Sequence, residues 1–217
     1  MIEVGLFGRA RSVLCLGAHA DDIEIGCGGT LAALRQAQPD IQIDIVLLTG
    51  DEKRAAEAAA ATERLFGPET RLQVLGLRDG YLPYDGPQAK EALRAAVAGL
   101  DPDVIFTHRR DDLHQDHSHI AELTGQLFRD HVVLGYEIPK YDGDLGRCNF
   151  YVPFGQEIAS AKIDTILDVY ASQREKYWLR AEVLEATLRL RGVEARTSLG
   201  FAEGFVATKL VAGISLD

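Results

Sequence analysis

The chain has 217 residues, 47% of them hydrophobic and 26% charged, with a formal net charge of −10. That apolar content excludes intrinsic disorder, the length can bury a core without staples, and the acidic balance argues against a nucleic-acid surface, which needs a basic stripe. No run of about 18 uncharged apolar residues exists, so no membrane span is expected. The N-terminal stretch carries Glu3 early and only a short apolar run, unlike a signal peptide. Cys15, Cys27 and Cys148 form no CxxC and leave an odd count, so neither a disulfide framework nor a zinc ribbon is expected. The cytoplasm is the expected compartment, and a homo-oligomer stays open.

In chain order, Ser12–Ala18 reads as a buried strand and Gly28–Gln38 as a helix. Ile41–Leu48 is a β-branched strand, and Glu52–Phe66 a helix stopped by Gly67-Pro68. A brief strand at Arg71–Leu75, a helix at Gln88–Leu100, a strand at Asp103–Thr107, a helix at Gln115–Asp130 and a strand at Val132–Ile138 follow. The last third reads as a strand over Arg147–Phe154, helices over Gln156–Tyr170 and Ser172–Arg191, and a closing strand over Phe205–Val211. Strand–helix alternation predicts an α/β fold, a Rossmann-like three-layer sandwich with a mostly parallel sheet. The chain reads as a single domain over 1–217, with 140–217 its less regular part. Ligands of such sheets bind beyond the carboxyl ends of the strands.

Two such ends carry chemistry. The first strand runs into His19-Ala20-Asp21-Asp22, and the strand ending at Thr107 runs into His108-Arg109-Arg110-Asp111-Asp112-Leu113-His114-Gln115-Asp116-His117. Histidine and carboxylate donors suit a catalytic zinc, which keeps three protein ligands and a water. His19 and Asp22, three apart in a turn, can reach one ion, and Asp21 between them is free to act as a base. His114 and His117 share a helix face, so one can bind metal while the other faces substrate. Asp116 can orient a histidine from behind. Each loop alone has an ordinary explanation: Asp22 as a helix cap, His119 on the surface, His108 and His131 structural or solvated. Their joint occurrence at two ligand-facing strand ends favours the metal.

The segment His19-Ala20-Asp21-Asp22-Ile23-Glu24-Ile25-Gly26-Cys27-Gly28-Gly29-Thr30-Leu31 resembles the opening motif of the PIG-L (LmbE-like) family of zinc-dependent N-deacetylases, and Asp112-Leu113-His114-Gln115-Asp116-His117 resembles its second motif. Thr49-Gly50-Asp51, Arg54 with Glu57, Asp79-Gly80 and Glu203-Gly204-Phe205 fit in order. The resemblance implies His19, Asp22 and His117 as zinc ligands, Asp21 as general base and His114, as imidazolium, as stabiliser of the oxyanion. Iron(II) suits the same donors. Arg54 and Asp79 become substrate contacts by resemblance; by pattern alone they are a helix-surface and a turn residue. The family's usual proline is Ala20 here, which removes no ligand. The implied substrate is a small N-acetylated amino sugar, free, glycosidic or nucleotide-linked.

Arg109 and Arg110 beside the second loop are candidate phosphate contacts for a nucleotide-linked sugar, set against an ion pair with Asp111 or Asp112. The helix containing Trp178 is a candidate lid, oligomer surface or plain core element, and Tyr136 and Tyr141 are candidate pocket residues. Three rivals keep the motifs: an amidase on a thiol conjugate or secondary metabolite, a metal-stabilised binding protein, and a nucleotide-binding oxidoreductase. The last is disfavoured because Gly26-Cys27-Gly28-Gly29 lacks the GxGxxG order.

Overall fold

The computed structural model describes residues 4–211. Among them are strands β1 (Ser12–Gly17), β2 (Gln42–Thr49), β3 (Arg71–Leu77), β4 (Val104–His108), β5 (Val132–Tyr136), β6 (Phe150–Phe154) and β7 (Phe201–Ala207). The helices are α1 (Asp22–Ala37), α2 (Glu52–Phe66), α3 (Gly86–Ala96), α4 (Gln115–Leu127), α5 (Gln156–Val169) and α6 (Ala181–Ala195). One sheet takes the order β3-β2-β1-β4-β5-β7-β6. The first five strands run parallel, and β7 pairs antiparallel with both β5 and β6. This is the expected α/β sandwich with a mostly parallel sheet.

Side chains alternate across a strand, so each apolar strand feeds two cores. Val13, Cys15, Ile43 and Ile45 pack on one face with Leu31 of α1, Phe66 of α2, Ile166 of α5 and Leu188 of α6. Leu14, Leu16, Val46 and Leu48 pack on the other with Leu93 of α3 and Ile120 of α4. No helix among the described residues is long and apolar enough to cross a membrane.

Three elements differ from expectation. Helix α1 starts at Asp22, not Gly28. Its glycines lower helix propensity by about 1 kcal/mol each against alanine, but close packing requires them. A Cβ at Gly26 would overlap the Tyr136 ring of β5, and one at Gly29 the Phe154 ring of β6. The Glu203 carboxylate of β7 accepts from Gly29 N (2.8 Å) and Thr30 N (2.7 Å) and pairs with Lys162 Nζ at 2.6 Å. Lys162 also donates to Ile25 O at 2.7 Å.

The helix expected over Ser172–Arg191 is instead a 3-10 turn at Ala171–Gln173, an irregular segment, and α6 from Ala181. Gln173 and Leu179 turn inward and are buried, which breaks the helical path between them. The closing strand begins at Phe201 rather than Phe205, because both rings face the core and the whole stretch pairs with β6. The end of that expected strand, Val211, lies outside β7.

Candidate active site

Strand order reverses direction around β1, whose neighbours are β2 and β4. In an open parallel sheet this is where a crevice forms beyond the carboxyl ends. The loops after β1 and β4 are therefore brought together, and with them two segments almost a hundred residues apart. Thr49 at the end of β2 fastens the first loop: its N and Oγ1 both donate to Ala18 O, at 2.9 and 2.6 Å.

His19, Asp22 and His117 converge. His19 Nδ1 lies 3.1 Å from His117 Nε2 and 3.5 Å from Asp22 Oδ2, and His117 Nε2 lies 3.5 Å from Asp22 Oδ1. A tetrahedral ion with bonds of about 2.0–2.2 Å needs donors about 3.3–3.6 Å apart. The two Asp22 distances, one to each carboxylate oxygen, match that requirement, and the two imidazole nitrogens stand slightly closer than it. All three side chains are buried. Burial opposes the charge on Asp22, yet His117, His108 and His19 around it hold its carboxyl well below the usual range. The donor set is thus an ionised carboxylate between imidazoles.

The remaining imidazole nitrogens are also engaged. His19 Nε2 faces Asp79 Oδ1 at 3.1 Å and Asp116 Oδ2 at 3.5 Å. His117 Nδ1 faces Asp112 Oδ2 at 3.1 Å, and Lys140 Nζ lies 3.1 Å from the same oxygen. Such carboxylates fix the ring tautomer so that the other nitrogen offers a lone pair to a metal. Burial works against the Asp112 charge, but His117 and Lys140 bring its carboxyl down to about 2.

Asp21 is buried beside this set. Arg54 Nη2 donates to its Oδ1 at 2.7 Å, while Oδ2 has no hydrogen-bond partner. Arg54 is held in register because Asp51 caps α2 by accepting from Arg54 N at 2.8 Å. His114 Nδ1 accepts from Asp116 N at 3.3 Å, which leaves Nε2–H as the ring's donor. Burial and the charges on His117 and His19 push the His114 pKa down. Accepting at Nδ1 is what a neutral ring does, where the resemblance implies an imidazolium.

A cleft of about 220 Å³ opens onto His19, Asp21, Asp22, Arg54, Asp79, His114 and His117, and Trp178 and Tyr141 also line it. Arg109 is not among its lining residues. Its Nε and Nη2 grip Asp111 at 3.0 and 2.6 Å, so the intramolecular ion pair takes the place of the expected phosphate contact. The histidine that the Asp116 carboxylate reaches is His19, at 3.5 Å from Nε2. Asp116 also accepts from Gly80 N (2.7 Å) and Leu82 N (3.1 Å) and so fixes the loop that carries Asp79. Tyr136 is core, its hydroxyl donating to Leu16 O at 2.7 Å.

Sequence reading underrated three residues. His108, taken as structural or solvated, stacks on His117 with ring centroids 3.8 Å apart and puts Nε2 3.0 Å from Asp22 Oδ2. Its place at the carboxyl end of β4 was the available signal. Asp112 was in the motif without an assigned contact. Lys140 gave no signal at all.

The chain matches the family model described as PIG-L: GlcNAc-PI de-N-acetylase over residues 14–128. It is 28% identical over 145 residues to YaiS of Escherichia coli, described as an uncharacterized deacetylase, covering 60% of this chain and 76% of that protein. Its fold resembles N,N'-diacetylchitobiose deacetylase of Pyrococcus horikoshii (TM-score 0.72, 21% identity, 93% of this chain and 85% of that one). It equally resembles GalB, the 4-carboxy-2-hydroxymuconate hydratase of Pseudomonas putida (TM-score 0.73, 18% identity, 95% and 100%). The fold alone therefore does not select a reaction. The family match does: it spans more than half of the chain and contains both converging loops, and the protein belongs to the PIG-L family as a hydrolytic N-deacetylase.

Proposed function

We propose that the protein removes the acetyl group from an N-acetylated amino sugar in the cytoplasm, with His19, Asp22 and His117 holding a zinc ion. The observation that carries this reading is the trio of donors 3.1–3.5 Å apart beside the unpartnered Asp21 Oδ2. Iron(II) fits the same donors. Bound there, the metal would lower the pKa of a water to roughly 7 and polarise the amide carbonyl.

The chain's own residues supply the rest. Asp21 takes the proton of the attacking water on Oδ2, while Arg54 keeps the carboxylate from rotating. His114 donates from Nε2 to the carbonyl oxygen as negative charge builds on it. Asp21, now protonated, returns the proton to the leaving nitrogen, so the amine departs neutral and acetic acid remains, which then loses its proton to water or the amine as acetate. Asp79, with one oxygen on His19 Nε2 and the other 3.8 Å from Arg54 Nη1, sits at the cleft where a sugar hydroxyl would meet it.

The test is acetate release from a panel of N-acetylated amino sugars by metal-loaded and chelated protein, with bound metal counted. About one zinc or iron per chain and chelator-sensitive acetate release support the reading. Metal without acetate from any sugar moves the substrate to other N-acetyl amides. A His114→Ala variant should lose about 10²–10³-fold in kcat; a loss of only a few-fold removes His114 from its role.

A further inference from the structure

The lining of the cleft has two origins. The part that carries the chemistry lies within the matched residues 14–128. The rest of the lining is Ile138, Lys140, Tyr141, Asp142, Lys176 and Trp178, all beyond them. Trp178 is held firmly there. It packs against the core, and Leu179 beside it is buried. The preceding turn is fastened to α2, because the Glu57 carboxylate accepts from Ser172 N at 2.9 Å and Ser172 Oγ at 2.5 Å. The loop between β5 and β6 joins in, since Tyr177 N donates to Tyr141 Oη at 3.3 Å. Lys176 Nζ lies over the Trp178 ring, 5.2 Å from its centroid, so the side chain covers a face of the indole.

We propose that Trp178 is the specificity-determining platform on which the ring bearing the scissile acetamide stacks, displacing the Lys176 ammonium from over the indole to the rim, where it and Asp142 meet the ring hydroxyls. This rests on the amino-sugar reading above and says how that class is selected. A pyranose offers a flat face of C–H groups and a rim of hydroxyls. An aromatic face with a cation and a carboxylate near it complements both parts. An alkyl amine would instead need an apolar wall, and Ile138 is the one aliphatic side chain lining the cleft. The volume, about 220 Å³, is below the roughly 300–1,000 Å³ of drug-sized sites and suits a single ring.

Trp178 is the only tryptophan in the chain, so its emission reports the subsite directly. Metal-free protein is titrated with N-acetylglucosamine and, separately, with acetamide. The sugar should change the emission saturably and acetamide should not. In metal-loaded enzyme, Trp178→Ala should raise KM for the sugar at least tenfold with kcat within threefold, and Trp178→Phe should restore most of the loss. An emission unmoved by the sugar, or a KM unmoved by Trp178→Ala while acetate is still released, overturns the platform and leaves the deacetylase reading intact. An emission change without acetate release keeps the platform and overturns that reading. Neither response overturns both.

Discussion

Arg54 Nη2 donates to Asp21 Oδ1 at 2.7 Å and leaves Asp21 Oδ2, also buried, without a partner. A carboxylate gripped on one oxygen can turn only its free oxygen toward the donor trio. The arginine therefore acts through Asp21 as well as facing the cleft. Arg54→Ala should lower kcat by about 10²-fold, the scale on which a displaced catalytic group costs rate. Arg54→Lys should recover little, because an ammonium lacks the planar fork. Steady-state kinetics on zinc-loaded protein checks both, with bound zinc expected to be unchanged.

Asp112 and Asp116, four residues apart, should fail in different ways. Asp112 meets His117 Nδ1 at 3.1 Å, so Asp112→Asn should weaken zinc binding about 10–100-fold. Asp116 is fully buried and accepts from Gly80 N and Leu82 N. Asp116→Ala leaves those donors short of a partner and should cost about 1–3 kcal/mol of stability, with a smaller loss of zinc affinity than Asp112→Asn because its Oδ2 stands farther from its imidazole, 3.5 Å from His19 Nε2. Zinc titration and urea unfolding on both variants separate the two effects.

Tyr170 Oη lies 2.6 Å from Ala20 O and 2.7 Å from Glu24 Oε2. The hydroxyl has one proton, and a carbonyl can only accept, so Tyr170 donates to Ala20 and Glu24 must donate to Tyr170. Burial pushes the Glu24 carboxyl up to about 8, which agrees with a neutral acid. This chain steadies the His19–Asp22 turn at the position where the family's proline is alanine. Glu24→Gln keeps a donor and should retain zinc affinity within a few-fold. Tyr170→Phe and Glu24→Ala should each cost about 1–3 kcal/mol in urea unfolding and weaken zinc binding.

Asp103 is a contributor to the acid side of the stability curve that lies away from the site. Asp103 Oδ2 accepts from Arg11 N (2.7 Å) and Ser12 N (3.0 Å), and these bonds hold its carboxyl below the usual value. The unfolded chain takes up the proton first as pH falls. The stabilisation is therefore complete above the ordinary carboxylate pKa and disappears as pH drops through the lower folded value. Asp103→Asn should flatten the loss of urea midpoint below about pH 5. The side chain is largely exposed, so the effect should be small.

Much of the site was legible because its residues sit at strand ends. His19, Asp22 and His117 follow β1 and β4, and the sheet order alone makes those ends neighbours. Apolar strand runs and the Gly67-Pro68 stop placed most elements. What stayed illegible depends on contacts distant in sequence. The start of α1 is decided by the fit of Gly26 and Gly29 against Tyr136 and Phe154. Propensity cannot report that fit. For Arg109 the sequence leaves a phosphate contact and an ion pair with Asp111 or Asp112 both open, and the structure forms the pair with Asp111. Lys140 reaches the cleft from an irregular segment with no periodicity to read, and Trp178 from an irregular segment that its spacing places in a helix.

The central claim is that a metal-holding trio and a separate carboxylate, Asp21, together hydrolyse an acetamide. The most direct measurement is kcat of Asp21→Asn for the best N-acetylated substrate, made on protein whose metal content is counted in the same sample. The account predicts about one metal per chain, as in the parent protein, with kcat lower by about 10²–10⁴-fold, the range a general acid–base contributes. A variant that keeps its metal and turns over within a few-fold of the parent would contradict it.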